Sequence, residues 1–258
     1  MTDGRWVLHL DADLDEVNRH WAELTAAGIL GAAEVDGRAT AYFADRVDGL
    51  ALPGRWEHLA DRDWHERWRN GLTPVRAGRW TVTPSWLATG APDELVIDPG
   101  QAFGTGHHET TTACMEALDR IALPGRTLLD VGTGTGVLAI AAALAGATVT
   151  ALDTDPLAVE AAAANAERNG AHVSVALGSI AVVAGRTFEV VAANLDSATL
   201  TTLAGPLRDV LSADGSLIAS GVGNERAGEV RAALEAAGLD VVATPGNAWT
   251  LLCGTRAS

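Results

Sequence analysis

From about Leu95 onward, short apolar runs of strand length alternate with amphipathic stretches of helix length. That order demands a mainly parallel sheet with helices on both faces. Strands are expected at 127–131, 148–153, 173–177, 189–194, 216–220, 239–243 and 249–254, and helices at 137–145, 156–169, 198–211 and 225–237. Pro156 suits a first helical position, and Gly170 and Gly238 suit helix stops. The last two strands lie too close in sequence for a helix between them, which implies an antiparallel hairpin at one sheet edge. The fold class expected is α/β, a doubly wound, seven-stranded Rossmann-like domain.

A differently built region precedes it. Seven of the eight tryptophans fall within the first 86 residues, and only Trp249 lies beyond. Alternation over 5–10 predicts a strand; 15–27 reads as a helix with Val17, Trp21 and Leu24 on one face, stopped by Gly28. Two strand-like pieces, 32–35 and 38–43, flank the turn dipeptide Asp36-Gly37, a hairpin signal. Strand, helix and hairpin in that order suggest a small α+β, ferredoxin-like domain. Residues 61–70 read as a helix with Trp64 and Trp68 one turn apart, a pair suited to docking on a neighbouring domain or, as the alternative, on a partner. Pro74 and Pro84 bracket a strand at 79–83. The expected division is a substrate-recognition domain at 1–58, a linker helix at 59–72 and a large domain at 73–258.

The chemistry concentrates in Asp130-Val131-Gly132-Thr133-Gly134-Thr135-Gly136, which follows an apolar strand and opens a helix. It therefore lies at the carboxyl end of a sheet strand, where ligands of doubly wound folds bind. Glycines at alternate positions let the backbone turn sharply and approach a ligand closely; the alternative is a bare structural turn. The spacing is GxGxG with Val137 next, not the GxGxxG of a dinucleotide site. Asp130 would repel a pyrophosphate but suits a ligand with an ammonium and a sulfonium. Asp153 ends the next strand, 23 residues beyond Asp130, where a carboxylate can accept from both hydroxyls of an adenosine ribose. Asp155, directly before Pro156, reads as the helix N-cap.

Composition narrows the partners. A formal net charge of -15 argues against holding nucleic acid through its phosphates and suits a basic partner, though such charge also serves solubility alone. All 18 basic residues are arginine, so no lysine can act as base or Schiff-base former. Cys114 and Cys253 lie far apart without ligand spacing, which indicates neither a disulfide framework nor a metal site. Residues 1–14 carry charges throughout and lack the apolar run of a signal peptide, and no segment reaches membrane-spanning length uninterrupted. A cytoplasmic protein without membrane or nucleic-acid contact, acting as a monomer, is expected.

Asp98-Pro99-Gly100-Gln101-Ala102-Phe103-Gly104-Thr105-Gly106-His107-His108-Glu109-Thr110-Thr111 resembles the segment ahead of the glycine loop in the methyltransferases of ribosomal protein L-eleven, the PrmA family. The resemblance continues through 130–141, Leu152-Asp153-Thr154-Asp155-Pro156, Asn165-Ala166-Glu167-Arg168-Asn169-Gly170 and Ala192-Ala193-Asn194-Leu195. It implies a class I methyltransferase using S-adenosylmethionine and yielding S-adenosylhomocysteine. The substrate implied is lysine or N-terminal amines of a basic large-subunit ribosomal protein docked by the N-terminal domain.

Carried over by position, the cofactor contacts fall on Thr111, Gly132, Asp153 and Asn194. Asp130, Thr133, Gly134 and Gly136 complete the cradle, and Phe103, Gly104 and Thr105 are expected in a covering loop that excludes water. Thr111 is placed in the first turn of a helix across the cofactor. His107 and His108 are expected in the same loop, more often solvated than chemical.

Asn194 and the Leu195 backbone are the candidate catalytic groups. Methyl transfer is an in-line displacement, so alignment is the protein's main task. A lysine amine is neutral only about four times in ten thousand at pH 7, and a dry site beside a sulfonium would depress its pKa. No dedicated strong base is expected. Asp196 departs from the family pattern and either attracts a cationic amine or caps the following helix. Alternative readings are another protein lysine or a small amine as target, or a cofactor-binding module without turnover; a nicotinamide oxidoreductase has the wrong glycine spacing.

Overall fold

The computed structural model describes residues 5–12, 16–17, 20–35, 38–59, 72–98, 106 and 108–257. They form two compact units, 1–73 and 74–258.

The first unit is a four-stranded antiparallel sheet of β1 (Arg5–Leu10), β2 (Ile29–Val35), β3 (Arg38–Phe43) and β4 (Gly54–Leu59), in the order β2-β3-β1-β4. That is the strand order of a ferredoxin-like sheet, and among the described residues helix α1 (Trp21–Ala26) lies between β1 and β2. Residues 44–53, where such folds place a second helix, are turns and irregular chain. Leu8 and Leu10 of β1 and Ala39, Ala41 and Phe43 of β3 alternate onto one face with Val17 and Leu24. Expected strand 32–35 begins earlier, at Ile29, and β4 was not anticipated. Of the helix expected over 15–27, residues 16–17 and Trp21–Ala26 are helical among the described residues. Asp36-Gly37, Trp64 and Trp68 lie outside the described residues, as does most of the expected linker helix.

The second unit opens with a three-stranded sheet, β5 (Val75–Ala77), β6 (Trp80–Thr83) and β7 (Glu94–Val96), in which β6 pairs antiparallel with β5 and parallel with β7. Helix α2 (Glu109–Asp119) then leads into alternating elements: β8 (Thr127–Val131), α3 (Val137–Leu144), β9 (Thr148–Asp153), α4 (Pro156–Arg168), β10 (Val173–Leu177), β11 (Phe188–Asn194), α5 (Ser197–Val210), β12 (Leu211–Gly223), α6 (Ala227–Ala236), β13 (Leu239–Pro245) and β14 (Trp249–Arg256). The sheet order is β10-β9-β8-β11-β12-β14-β13, parallel except for β14. The hairpin expected at the edge is present, with β14 inserted between β12 and β13. The chain runs outward one way from β8 and the other way from β11, so the crevice between these strands is the topological switch point.

Core packing aims the polar residues. Leu128, Val190, Ala192 and Ile218 enter a cluster with Cys114 and Met115 of α2 and with α3. Their neighbours Leu129, Val131, Val191, Ala193, Leu217 and Ala219 enter a second cluster with α5 and α6. Because side chains alternate along a strand, Asp130, Asn194 and Ser220 fall on the α2 side of the sheet.

Candidate active site

The glycine loop leaves β8 at its carboxyl end. Gly132, Gly134 and Gly136 all have positive φ, at 72°, 54° and 85°, a region that L side chains adopt at a cost. The amides of Gly132 and Thr133 both donate to the Leu152 carbonyl, at 2.8 and 3.0 Å, pinning the loop to the neighbouring strand β9. A Cβ at Gly132 would run into the Leu195 side chain, and one at Gly136 would sit 3.1 Å from Ala162 of α4. The glycines thus let β11 and α4 close on the loop. Gly221, which sequence reasoning passed over, has the same function: a Cβ there would collide with the Leu195 backbone.

Asp153 ends β9 with its carboxylate aimed by two amides, Gly134 N at 2.9 Å on Oδ2 and Asp155 N at 3.0 Å on Oδ1. Two carboxylate oxygens offer about four acceptor positions, so capacity remains for two hydroxyls of a ligand. Asp155 caps α4, accepting from Leu157 N at 2.9 Å.

Asp130 is buried beneath the loop. Its Oδ2 accepts from the Thr133 hydroxyl at 2.7 Å, while Oδ1 has no partner of hydrogen-bonding length among the described residues. Burial pushes its carboxyl up to about 6; the Thr133 hydroxyl and the Ala139 amide pull the other way, and the charge of Asp153 adds slightly to the rise. Burial also drives the nearby Cys114 thiol up, keeping it neutral. Both cysteines are free.

Thr111 lies in the first turn of α2, fully buried, and its Oγ1 accepts from Asn194 Nδ2 at 3.4 Å. Asn194 ends β11, and the following Leu195 donates its amide to Ser220 O at 3.0 Å. Thr111, Asp130, the loop from Gly132 to Gly136, Asp153, Asn194 and Leu195 are thus gathered at the carboxyl ends of β8, β9 and β11. Phe103, Gly104, Thr105 and His107 lie outside the described residues.

Two residues differ from expectation or resolve an alternative. His108 is not a solvated loop histidine but the N-cap of α2. Its Nδ1 accepts from Thr110 N and pairs with Thr110 Oγ1 at 2.8 Å, and its ring meets Trp249 edge to face at 5.0 Å. Burial lowers its pKa to about 4, so it is neutral at pH 7. Asp196 is spent on capping α5: it accepts from Ala198 N and Thr199 N, both at 3.0 Å, and from the Thr199 hydroxyl. Burial pushes its carboxyl up, but these bonds outweigh it and hold the group below its ordinary value.

Among the described residues no group of three or more His, Cys, Asp or Glu is placed to hold a metal ion, and no helix is long and apolar enough to cross a membrane.

The family model for ribosomal protein L11 methyltransferase (PrmA) matches residues 6–257. The ribosomal protein L11 methyltransferase of Thermus thermophilus is 40% identical over 235 residues, spanning 90% of this chain and 92% of that protein. Its counterpart from Deinococcus radiodurans is 35% identical over 266 residues, spanning 96% and 97%. Among solved structures, the ribosomal protein L11 methylase of Lactobacillus delbrueckii subsp. bulgaricus has a TM-score of 0.64 at 29% identity, covering 70% of this chain and 96% of that one. With this sheet order, glycine loop and strand-end carboxylate, the chain belongs to the ribosomal protein L11 methyltransferase (PrmA) family of S-adenosylmethionine-dependent methyltransferases.

Proposed function

We propose that this protein transfers methyl groups from S-adenosylmethionine to amines of ribosomal protein L11, and that the carboxyl-end cluster is where it does so. The observation that carries the reading is the joint placement of Asp153, the glycine loop and the Thr111–Asn194 pair at the switch point of the sheet. The residues present fit the cofactor. The carboxylate of Asp153 has acceptor capacity for ribose hydroxyls, and the unpartnered Oδ1 of buried Asp130 suits an ammonium group. Gly132, where a Cβ would meet the Leu195 side chain, lets the loop and that strand end lie side by side. When bound, the cofactor supplies an electrophilic methyl on a sulfonium.

The chain's own contribution is alignment and desolvation. With Nδ2 of Asn194 turned to Thr111, its Oδ1 is left to accept an N–H of the incoming amine and steer the nitrogen lone pair. The Leu195 carbonyl, seated against Gly221, is a second acceptor at the same strand end. No group in the cluster is a strong base: Asp196 is committed to its helix, and His108 is buried as a cap. The amine yields its proton to solvent water as it leaves bulk solvent, since a low-dielectric site favours the neutral form, and no side chain is needed as the base. The net charge of -15 favours a basic substrate, and the first unit is assigned to docking it.

Incubation with methyl-labelled S-adenosylmethionine and a ribosomal-protein extract tests this. Label on protein L11 alone is expected; label confined to other proteins, or binding without transfer, contradicts it. Asn194→Ala is expected to keep cofactor affinity within about tenfold while kcat falls about 100-fold. Intact turnover in that variant would remove Asn194 from the mechanism.

A further inference from the structure

Helix α4 carries two asparagines one turn apart, Asn165 and Asn169, that the proposed reaction does not use. Each treats the chain at β7 as a strand edge. One edge of this segment is taken by β6, continued by Ile97 N donating to Thr83 O at 2.9 Å. On the other edge, the Asn169 carboxamide meets both main-chain groups of Val96: Oδ1 accepts from Val96 N and Nδ2 donates to Val96 O, each at 2.8 Å. Two residues on, Asn165 does the same for Asp98, at 3.0 Å from its amide and 3.1 Å to its carbonyl. Four residues of helix rise about 6 Å, and two residues of strand span about 6.6 Å. The matched repeats let one helix face serve two outward-facing backbone positions.

Asn165 then does something that Asn169 does not. Its Nδ2 also donates to the Thr135 carbonyl, inside the glycine loop, at 2.9 Å. The residue is 1% exposed, so water cannot replace a lost bond there. Arg168 donates to Asn165 Oδ1 at 2.6 Å and pairs with Asp98 Oδ2 at 3.1 Å. The Asp98 carboxylate is further held by Ser85, through its amide at 2.8 Å and its hydroxyl at 2.9 Å. Ala162, three residues before Asn165, packs against Gly136 at the end of the same loop.

We infer that Asn165 is a positioning residue of the cofactor site, fixing the Thr135 carbonyl, and with it the glycine loop, against the backbone at Asp98. Its influence runs through the loop to the Gly134 amide, which aims the Asp153 carboxylate. The inference rests on the reading of that loop as the cofactor cradle.

The test titrates S-adenosylhomocysteine, an unreactive probe, into the full chain by calorimetry. Wild type is compared with Asn165→Ala, Asn165→Asp and Asn169→Ala, and thermal unfolding of each is recorded without ligand. Asn169→Ala is the structural control, since it removes two bonds to β7 and none to the glycine loop. Both alanine variants are expected to lose thermal stability, but only the Asn165 variants should raise Kd, by about tenfold or more. Asn165→Asp keeps the acceptor for Asp98 N and Arg168 and loses the donors to Asp98 O and Thr135 O, so it reads the same contact if the alanine variant does not fold. In turnover, KM for S-adenosylmethionine should rise in the Asn165 variants with kcat held within about threefold. A Kd for Asn165→Asp within about threefold of that for Asn169→Ala would overturn the inference. A wild-type chain that does not bind the probe would overturn the cradle reading itself, and this inference with it.

Discussion

At the amino ends of its central strands, the seven-stranded sheet spends its polar side chains on itself. Glu189 of β11 accepts from Thr127 N at 2.9 Å and from the Thr127 hydroxyl, while its own amide donates back to that hydroxyl at 3.2 Å. Arg186 lies over the Phe188 ring, 4.9 Å from its centroid, and reaches Thr150. At the carboxyl ends of the same strands, polar groups are aimed but not exhausted. Asp153 is oriented by two amides with capacity to spare, and Asp130 is buried with one oxygen unpartnered. One end satisfies its groups for stability; the other carries unspent bonding capacity and a raised pKa, as binding sites do. Substitutions at the carboxyl end should therefore cost affinity, and those at the amino end stability alone.

The largest effect is expected from Asp153→Ala. Losing charge-assisted bonds to two hydroxyls should weaken S-adenosylhomocysteine binding by about a hundredfold or more, beside a loss of stability of about 1–2 kcal/mol through the unmet Gly134 amide. Calorimetry beside a melting curve measures both.

A smaller, pH-dependent effect belongs to Asp130. Burial raises its carboxyl to about 6 in the folded chain, against 3.8 as the ordinary value. The folded chain thus holds a proton that the unfolded chain has released between about pH 4 and pH 6. Stability attributable to this group is present at low pH and falls as pH rises through that window, by on the order of 3 kcal/mol. Cofactor affinity moves oppositely, because only the ionised carboxylate opposes an ammonium: it should rise by up to about tenfold per pH unit below 6 and level off above. Asp130→Asn should flatten both dependences, as urea melts and titrations between pH 5 and pH 8 would show.

The smallest effect is expected at the amino end. Glu189→Ala should cost about 1–2 kcal/mol of stability through the unmet Thr127 amide and leave S-adenosylhomocysteine affinity unchanged. A loss of affinity there comparable to that of Asp153→Ala would erase the distinction between the ends.

The parallel strands were legible because each is a short apolar run bounded by glycine, proline or a carboxylate. Strands 127–131, 148–153 and 173–177 coincide with β8, β9 and β10. β12 starts at Leu211 rather than Ser216, because Asp214-Gly215 reads as a turn although the chain continues extended with an irregular register against β11. β4 escaped notice because Arg55, Glu57 and His58 obscure its alternation. The glycine loop and Asp153 could be read locally, since the structure needs them at strand ends. His108 could not, because its burial depends on Trp249, far along the chain. Asn165 and Asn169 stood in a quoted motif without a role, because their partners Asp98 and Val96 lie 67 and 73 residues away.

Hydrogen–deuterium exchange on the full chain, with and without S-adenosylhomocysteine, tests the contrast between the two ends most directly. Ligand-dependent protection is expected in peptides covering 132–136, 153–155 and 194–195, with none in those covering 126–128 and 186–189. Protection at the amino ends, or spread evenly over both, would contradict the assignment of binding to the carboxyl end.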